Sequence, residues 1–185
     1  KGAVFGAKYG WERPNWFAPQ GVEPKDELTF EIPNWFDHVG AEHKAAREAV
    51  VLIDQTSFNK FEIGGPGALA FLNRLCANNI DKPVGSVTYT QLCNRRGTIE
   101  ADITVARVGE EKFLLVTGTA FGLHDSQWIR KHMPADGSVV FQDVTSALAV
   151  INVIGPNSRK LLEKVGRGDI SNENFRFSKC KQIAV

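Results

Sequence analysis

Residues 87–105 have the sequence VTYTQLCNRRGTIEADITV, in which two alternating strand patterns flank a polar turn. The turn contains Gly97, and a short polar turn with a glycine between alternating segments is typical of a β-hairpin. The second strand carries an acid, Asp102, at its centre. A buried and unpaired carboxylate is costly or changes its pKa. We therefore expect Asp102 to face either solvent or a ligand.

The neighbours of Asp102 leave two interpretations open. Glu100 and Thr104 share its strand face, because side chains two residues apart point to the same side. Tyr89 is expected near that face on the partner strand. Such a row of polar residues is typical of the solvated face of a half-exposed sheet. The alternative is a site built around one acid.

The composition is that of a globular protein with balanced charge. The chain has 185 residues, of which 43% are hydrophobic and 23% charged, which suits one domain or one and a half. A formal net charge of +1 gives no basic excess for nucleic acid and no acidic excess for a basic partner. No apolar run reaches the roughly 18 residues that a membrane helix needs. We expect neither nucleic acid nor a membrane as a partner.

Three cysteines, Cys76, Cys93 and Cys180, are widely spaced and form no C-x-x-C pair. This arrangement argues against a disulfide framework and against a zinc site. Unpaired cysteines are typical of a reducing compartment, so we expect the bacterial cytoplasm or the mitochondrial matrix. Cys93, beside the hairpin turn, is expected to be a partly exposed small strand residue rather than a nucleophile.

Helices and strands are mixed along the chain. Helices are predicted for residues 40–50, 68–75, 120–132 and after Gly155-Pro156, and strands for 51–54, 59–63, the hairpin 87–105, 112–117, 139–141 and 149–154. Segments 61–66 and 151–156 are similar, since each is a strand followed by Gly-Pro and a helix. Strands outnumber helices and follow one another as hairpins. The expected fold class is α+β, with mostly antiparallel sheets and helices packed on one side.

Other candidate sites favour a structural interpretation. The turn at 64–67 precedes a helix, where anions bind, but it lacks the Lys-Ser/Thr of a phosphate-binding loop. His38 and His43 do not have the H-E-x-x-H spacing of a zinc site, and we expect no metal. His124 and His132 lie on one predicted helix, and we expect no catalytic role for them.

Many short motifs occur in an order that identifies a family. They are Glu42-His43, Arg47-Glu48-Ala49-Val50, Asp54, Phe61-Glu62-Ile63-Gly64-Gly65-Pro66, Tyr89-Thr90-Gln91-Leu92-Cys93-Asn94, Gly97, Asp102 and Gly155-Pro156. Over roughly residues 37–165 the chain resembles the folate-binding aminomethyltransferase family, typified by the glycine-cleavage T-protein. The segment GWERPNWF at 10–17 resembles the linker before this domain in dimethylglycine and sarcosine dehydrogenases and oxidases.

The resemblance implies a T-protein-like fold of three domains around a central channel, incomplete here at the C-terminus. Residues 51–135 then form one compact antiparallel α+β domain. Residues 37–50 and 136–185 contribute to a second, discontinuous α+β domain. Residues 1–36, rich in aromatic residues, Pro and Gly, are expected to be a linker that wraps the body with little regular structure.

The resemblance also implies one-carbon transfer. An oxidised N-methyl amine delivers its carbon, as an iminium or formaldehyde equivalent, to tetrahydrofolate, which gives methylene-tetrahydrofolate. Asp102 matches the essential aspartate of the family, and Tyr89 matches a ring that lines the folate pocket. Thr104 and Thr117 match further polar contacts to the folate. Ala101 replaces the first acid of the T-protein's Asp-Asp pair, which agrees with the amine-oxidising branch rather than with glycine cleavage.

In that branch an FAD-binding, amine-oxidising domain lies upstream. The chain begins at Lys1 and ends on the strand-like pattern 181–185, so we expect a segment of a longer polypeptide from which the FAD domain is absent. The family's later Tyr-x-Gly-Glu-x-Gly motif, whose glutamate contacts the pterin ring, is also absent. The segment alone is therefore expected to be inactive and to bind folate poorly. Two alternatives stay open, a non-catalytic regulatory or binding module of the same architecture and a methyltransferase of this fold with another donor.

Overall fold

The computed structural model describes residues Lys1–Val185 and divides into two compact units. The first unit contains Lys1–Asp54 and Ile151–Val165, and the second unit contains Gln55–Val150 and Gly166–Val185. The strands are β1 (Ala3–Lys8), β2 (Trp11–Phe17), β3 (Val51–Asp54), β4 (Asn59–Gly64), β5 (Val87–Cys93), β6 (Ile99–Gly109), β7 (Lys112–Thr117), β8 (Val140–Asp143) and β9 (Ile151–Ile154). The helices are α1 (Phe36–Glu48), α2 (Ala68–Leu75), α3 (Gly122–Lys131) and α4 (Ser158–Val165), with a 3₁₀ turn at Thr145–Ala147.

The first unit is built from two strand pairs and two helices. β1 and β2 form an antiparallel hairpin, and β3 pairs antiparallel with β9. The small core of this unit contains Val4, Trp16, Ala18 and the partly buried Trp35 and Val39. Trp16 anchors it, because only 1% of this residue is exposed and its indole N–H donates a 2.7 Å hydrogen bond to Oδ1 of Asp26.

A five-stranded antiparallel sheet forms the second unit, with the strand order β5-β6-β7-β4-β8. Alternate residues of β5, β6 and β7 are buried, so one face of the sheet is apolar. The core includes residues of the sheet and of both α2 and α3, among them Phe61, Phe71, Leu72, Ile103, Phe113 and Ile129. Sheet and helices therefore share one core, which confirms the expected α+β class.

The predicted elements are confirmed, with shifts at some of their ends. The segments predicted at 51–54, 68–75 and 112–117 have the predicted bounds as β3, α2 and β7. α1 begins at Phe36 rather than at residue 40, with Asp37 in its first turn, where an acid stabilises the amino end of a helix. The second strand of the predicted hairpin, β6, continues beyond residue 105 to Gly109.

The turn of the β5–β6 hairpin spans residues 94–98. Gly97 has φ +79°, a conformation that L side chains rarely adopt. Oδ1 of Asn94 accepts hydrogen bonds from the backbone N–H groups of Arg96 and Thr98 at 2.9 and 3.2 Å. An asparagine at the start and a glycine near the end therefore close the turn between the two strands.

The similar segments at 61–66 and 151–156 have the same local structure, one in each unit. Gly65 follows β4 with φ +107°, and Gly155 follows β9 with φ +134°. A Cβ atom at Gly65 would lie 2.5 Å from the carbonyl oxygen of Ser138, and one at Gly155 would overlap the carbonyl oxygen of Ala49. Both conformation and space exclude a side chain, so these glycine turns serve packing.

The N-terminal region corrects one expectation, that residues 1–36 have little regular structure. β1 and β2 are regular strands, joined by Tyr9 and Gly10, which have φ +51° and +82°. Its aromatic rings also differ in burial, since Trp16 is buried whereas Phe30 is fully exposed. The region is therefore in part a hairpin and not only a wrapping segment.

The residue ranges of the two units differ from the domain bounds that the resemblance implied. Residues 136–150 and 166–185 lie in the second unit, whereas the expected discontinuous domain held all of 136–185. Residues 51–54 lie in the first unit, because β3 pairs with β9. The expected bounds refer to the three-domain fold of a longer chain, and for that fold they stay a prediction.

The cysteines are free thiols in three surroundings. Burial raises the pKa of Cys76 to about 12, so this thiol stays protonated. Cys93 is exposed at the end of β5. No group of three or more His, Cys, Asp or Glu side chains is arranged to hold a metal ion.

None of the helices combines the length and apolar character that crossing a membrane requires.

Candidate functional site

The β5–β6 hairpin supplies one wall of a cavity. We call this wall the hairpin wall and define it by its residues Tyr89, Asp102 and Thr104. In the register of the hairpin, Thr104 lies opposite Tyr89 and Asp102 lies opposite Gln91. Because strand side chains alternate between faces, these four side chains share the face that does not carry the core.

The Asp102 carboxylate is exposed and makes two hydrogen bonds across the hairpin. Tyr89 donates its hydroxyl proton to Oδ2 at 2.7 Å, and Nε2 of Gln91 donates to Oδ1 at 3.0 Å. The hydrogen bond to Asp102 raises the pKa of Tyr89, and the negative charge of Asp102 adds to this effect. An ionised carboxylate has about four lone-pair positions, so Asp102 keeps acceptor capacity for a ligand.

The cavity forms where β6 extends past the end of β7. Pairing between these strands begins at Thr104 and Val116, so residues 99–103 pair with no residue of β7. A cavity of about 490 Å³ lies along this free stretch of β6. Its volume is within the usual range of small-molecule sites. Much of its lining is apolar, with Phe58 and Phe121 contributing rings.

A second wall, the helix wall, is defined by Thr117, Phe121 and Asp125 at the end of β7 and the start of α3. Gly122 lets α3 begin directly against β4, because a Cβ atom there would overlap the side-chain amide of Asn59. That amide donates to the carbonyl oxygens of residues 118 and 119 at 3.0 and 3.1 Å. The connection from β7 to α3 is thereby fixed, and Asp125 comes to lie beside Thr117.

Asp125 is a buried carboxylate, with 1% of the residue exposed. Thr117 donates its hydroxyl proton to Oδ2 at 2.5 Å, and Nδ1 of His124 lies 3.0 Å from Oδ1. Nε2 of His124 lies 3.6 Å from Oε2 of Glu100. The other oxygen of Glu100 accepts a 2.7 Å hydrogen bond from Asn94. Polar contacts therefore connect the hairpin turn to the helix wall.

Four side chains are predicted from the sequence to form the site, and all four line this cavity: Tyr89, Asp102, Thr104 and Thr117. Asp125 also lines it but is not predicted. The signal for it is helical spacing, because Asp125 precedes the fully buried Ile129 by one turn and so shares its buried face. His124, for which no catalytic role is expected, contacts two carboxylates at the margin of the site.

The cavity combines apolar surface with negative charge. Glu100, Asp102 and Asp125 are among its lining residues, and no Lys or Arg is. Carboxylates accept hydrogen bonds and stabilise positive charge, more strongly where water is partly excluded. The arrangement suits a neutral or cationic ligand with N–H donors. Asp102, exposed and with free lone pairs, is the group best placed to accept a proton.

Comparison with known families identifies the family of the chain. The chain belongs to the GCVT N-terminal domain family, whose model matches residues 1–185. The resemblance to the aminomethyltransferase family is thereby confirmed.

The curated relatives include enzymes that act on methylated amines. The chain is 39% identical over 184 residues to "4-methylaminobutanoate oxidase (formaldehyde-forming)" of Paenarthrobacter nicotinovorans, covering 100% of this chain and 22% of the relative. It is 35% identical over 177 residues to the mitochondrial dimethylglycine dehydrogenase of Rattus norvegicus, covering 95% of this chain and 20% of the relative. It is also 34% identical over 190 residues to the mitochondrial pyruvate dehydrogenase phosphatase regulatory subunit of Mus musculus, covering 100% of this chain and 22% of the relative.

Among solved structures, the chain is similar to the glycine cleavage system aminomethyltransferase T from Bartonella henselae. The TM-score is 0.72 with 22% identity, over 96% of this chain and 43% of that chain. At this identity the similarity confirms the fold alone. The chain spans about a fifth of the length of the curated relatives it matches.

Proposed function

We propose that this chain is part of a folate-dependent one-carbon transferase domain. It passes a carbon from an oxidised N-methyl amine of the sarcosine or dimethylglycine type to tetrahydrofolate, giving methylene-tetrahydrofolate. The observation that carries the proposal is the Asp102 carboxylate, which lines the cavity and is hydrogen-bonded to Tyr89. Membership of an aminomethyltransferase-like family supports it.

In this proposal Asp102 does the proton chemistry. A folate nitrogen that bonds to the incoming carbon must lose a proton, and a carboxylate placed beforehand in a partly dry cavity accepts it. The demethylated amine, or water where formaldehyde is the donor, leaves when its bond to this carbon breaks and a second folate nitrogen bonds to the same carbon. The same negative charge stabilises a cationic iminium donor before the new C–N bond forms. Tyr89 and Gln91 hold the carboxylate through one hydrogen bond to each oxygen, so its lone pairs point in defined directions.

The residues present fit the ring system of tetrahydrofolate. This ring is neutral and carries several N–H donors, and the lining supplies carboxylates, threonine hydroxyls and the rings of Phe58 and Phe121. Thr104 and Thr117 are assigned to contacts with the folate, and Tyr89 to a ring contact beside Asp102. No lining residue is basic, so a negatively charged part of the ligand is held elsewhere.

The carbon donor is proposed to come from the longer polypeptide. An upstream FAD-binding domain would oxidise the N-methyl amine to an iminium, with FAD taking up the two electrons, and addition of water to the iminium would give formaldehyde and the demethylated amine. The name of one relative, "4-methylaminobutanoate oxidase (formaldehyde-forming)", supports this class of donor. The compartment is proposed to be the bacterial cytoplasm or the mitochondrial matrix, as the names of the mitochondrial relatives suggest.

The test is Asp102→Asn in the natural full-length protein, assayed for amine oxidation, formaldehyde and methylene-tetrahydrofolate. We expect methylene-tetrahydrofolate formation to fall by about a hundredfold or more, the usual range for a lost acid–base group, with formaldehyde accumulating instead. Amine oxidation continues at its normal rate. Asp81→Asn is the matched control, since Asp81 is an exposed, hydrogen-bonded aspartate of the same unit outside the cavity. An unchanged methylene-tetrahydrofolate yield rules out the role of Asp102.

A non-catalytic regulatory or binding module is the second candidate. Its support is the 34% identity to a phosphatase regulatory subunit over the whole chain. Calorimetry of the full-length protein with 5-formyltetrahydrofolate discriminates the two, because no heat at millimolar ligand favours the module. A methyltransferase with another donor is the third, and the names of the amine-oxidising relatives favour the first proposal over it.

A further inference from the structure

The buried end of the helix wall contains a carboxylate that the proposed transfer does not use. Asp125 is 1% exposed and Thr117 is 4% exposed, yet both line the cavity. The hydrogen bond from the hydroxyl group of Thr117 to Oδ2 of Asp125 is 2.5 Å long. This length is at the short end for a hydroxyl–carboxylate bond, which is a strong hydrogen bond.

A threonine hydroxyl has one proton and two acceptor lone pairs. Because the proton of Thr117 is held by Asp125, only the lone pairs of Thr117 remain for a ligand. We propose that Asp125 is a positioning residue that makes Thr117 a hydrogen-bond acceptor toward the ligand. The inference rests on the proposed function for the identity of the ligand, whereas the orientation of the hydroxyl group is a property of the free protein.

The surroundings of Asp125 hold its carboxylate in one plane. Oδ1 faces Nδ1 of His124 at 3.0 Å, so each carboxylate oxygen has its own partner. His124 is in turn near Glu100, which accepts a hydrogen bond from Asn94 in the hairpin turn. A carboxylate with both oxygens engaged cannot rotate without breaking a contact, and the proton of Thr117 is therefore held in one direction.

The orientation of the Thr117 hydroxyl group restricts which ligands the cavity can bind. With Thr117 as an acceptor, the helix wall has the same hydrogen-bonding character as the carboxylates of Glu100 and Asp102, and no lining Lys or Arg opposes it. A ligand atom next to Thr117 must then be an N–H or O–H donor, since two facing acceptors repel. The class that fits is a neutral heterocycle with ring N–H or amino groups, which includes the ring of tetrahydrofolate.

The binding test uses the natural full-length protein and 5-formyltetrahydrofolate as the probe, measured by isothermal titration calorimetry. Thr117→Val keeps the shape of the side chain without the hydroxyl group and weakens binding about tenfold, whereas Thr117→Ser retains the affinity. Asp125→Asn keeps an acceptor oxygen for the proton of Thr117 and stays within about twofold of the wild type. Asp125→Ala weakens binding, but it causes no further loss in the Thr117→Val background.

Thr90→Val is the matched control for these variants. Thr90 is a buried threonine on β5 of the same sheet and is 1% exposed, but it lies outside the cavity. Its hydroxyl oxygen accepts a hydrogen bond from the backbone N–H of Asn78. Thr90→Val therefore changes stability without changing the affinity for the probe.

A second measurement needs no ligand. In the NMR spectrum of the free protein the hydroxyl proton of Thr117 is expected to exchange slowly with water, and Thr117→Val identifies its signal. Asp125→Ala releases this proton, so that the signal disappears through fast exchange. If the proton exchanges rapidly in the wild type, the proposed orientation is wrong whatever the protein binds.

The outcomes separate this inference from the proposed function. A wild-type protein that does not bind 5-formyltetrahydrofolate contradicts the proposed function, while the exchange rate of the hydroxyl proton still decides the orientation. Equal losses of affinity in Asp125→Asn and Asp125→Ala would show that Asp125 acts through its charge, and additive losses in the double variant would show that it acts independently of Thr117. Either result overturns the positioning role.

Discussion

The hairpin wall and the helix wall each contribute an aspartate with two hydrogen bonds, and the two differ in their access to water. Asp102 is exposed, and its partner Tyr89 is 61% exposed. Asp125 is 1% exposed, and its partner Thr117 is 4% exposed. The exposed carboxylate can exchange a partner for water or ligand at little cost, whereas the buried one cannot. This difference in exposure supports the proposals that Asp102 accepts a proton in the reaction and that Asp125 positions Thr117.

The largest difference between the two walls is expected in stability. Asp125→Ala leaves the buried hydroxyl group of Thr117 without its acceptor, whereas His124, whose side chain is 53% exposed, turns to water. A buried polar group that loses its partner should lower the free energy of opening α3 by about 2 kcal/mol. Asp102→Ala should cost far less, because the partners of Asp102 turn to water. Native-state hydrogen exchange of the α3 amides measures both.

An equal loss of protection in the two alanine variants would contradict this comparison. It would show that Asp102 supports the fold as much as Asp125 does, and that exposure is no guide to their roles. Asp143→Ala provides a reference value, since Asp143 is an exposed acid of the same sheet that accepts one hydrogen bond, from the backbone of Thr145.

A smaller effect is expected from the partner of the exposed acid. Tyr89→Phe removes the 2.7 Å hydrogen bond to Oδ2 of Asp102 but keeps the ring in the cavity. The carboxylate is then held less firmly, so the rate of methylene-tetrahydrofolate formation should fall about fivefold. Tyr9→Phe is the control, since Tyr9 is 66% exposed and belongs to the first unit. If both variants retain the full rate, Tyr89 does not position Asp102.

Much of the fold follows from local sequence signals. The alternation on both sides of Gly97 predicts the hairpin, and the Gly-Pro pairs at 65–66 and 155–156 predict two strand-to-helix turns. The β1–β2 hairpin is not predicted because its alternation is hidden. Pro14 lies within β2, and the register shifts after Val4. Its turn is Tyr9-Gly10, a weaker signal than Asn-Gly.

The site is predictable only in part. Asp102 stands out within its strand, and the hairpin register brings Tyr89 and Thr104 to the same face. The cavity forms because the first residues of β6 extend past the end of β7. The sequences of the two strands do not indicate this difference. Asp125 lies on α3, and only its spacing from the buried Ile129 marks it as buried. Tertiary contacts of this kind are not encoded in any short segment.

The smallest expected effect is a change in the ionisation of Tyr89, and it tests whether the two walls act separately. The hydrogen bond to Asp102 and its negative charge favour the neutral phenol, which raises the pKa of Tyr89. Asp102→Ala removes both, so the pKa of Tyr89 should fall toward its ordinary value and the phenolate should form at lower pH. Asp125 has hydrogen-bond contacts with Thr117 and His124 and not with Tyr89, so Asp125→Asn should leave the titration of Tyr89 unchanged. Alkaline absorbance titrations, each taken as a difference from the same protein with Tyr89→Phe, isolate this residue. A comparable fall of the Tyr89 pKa in both variants would mean that the two walls share one electrostatic environment. The separate roles proposed for Asp102 and Asp125 would then be contradicted.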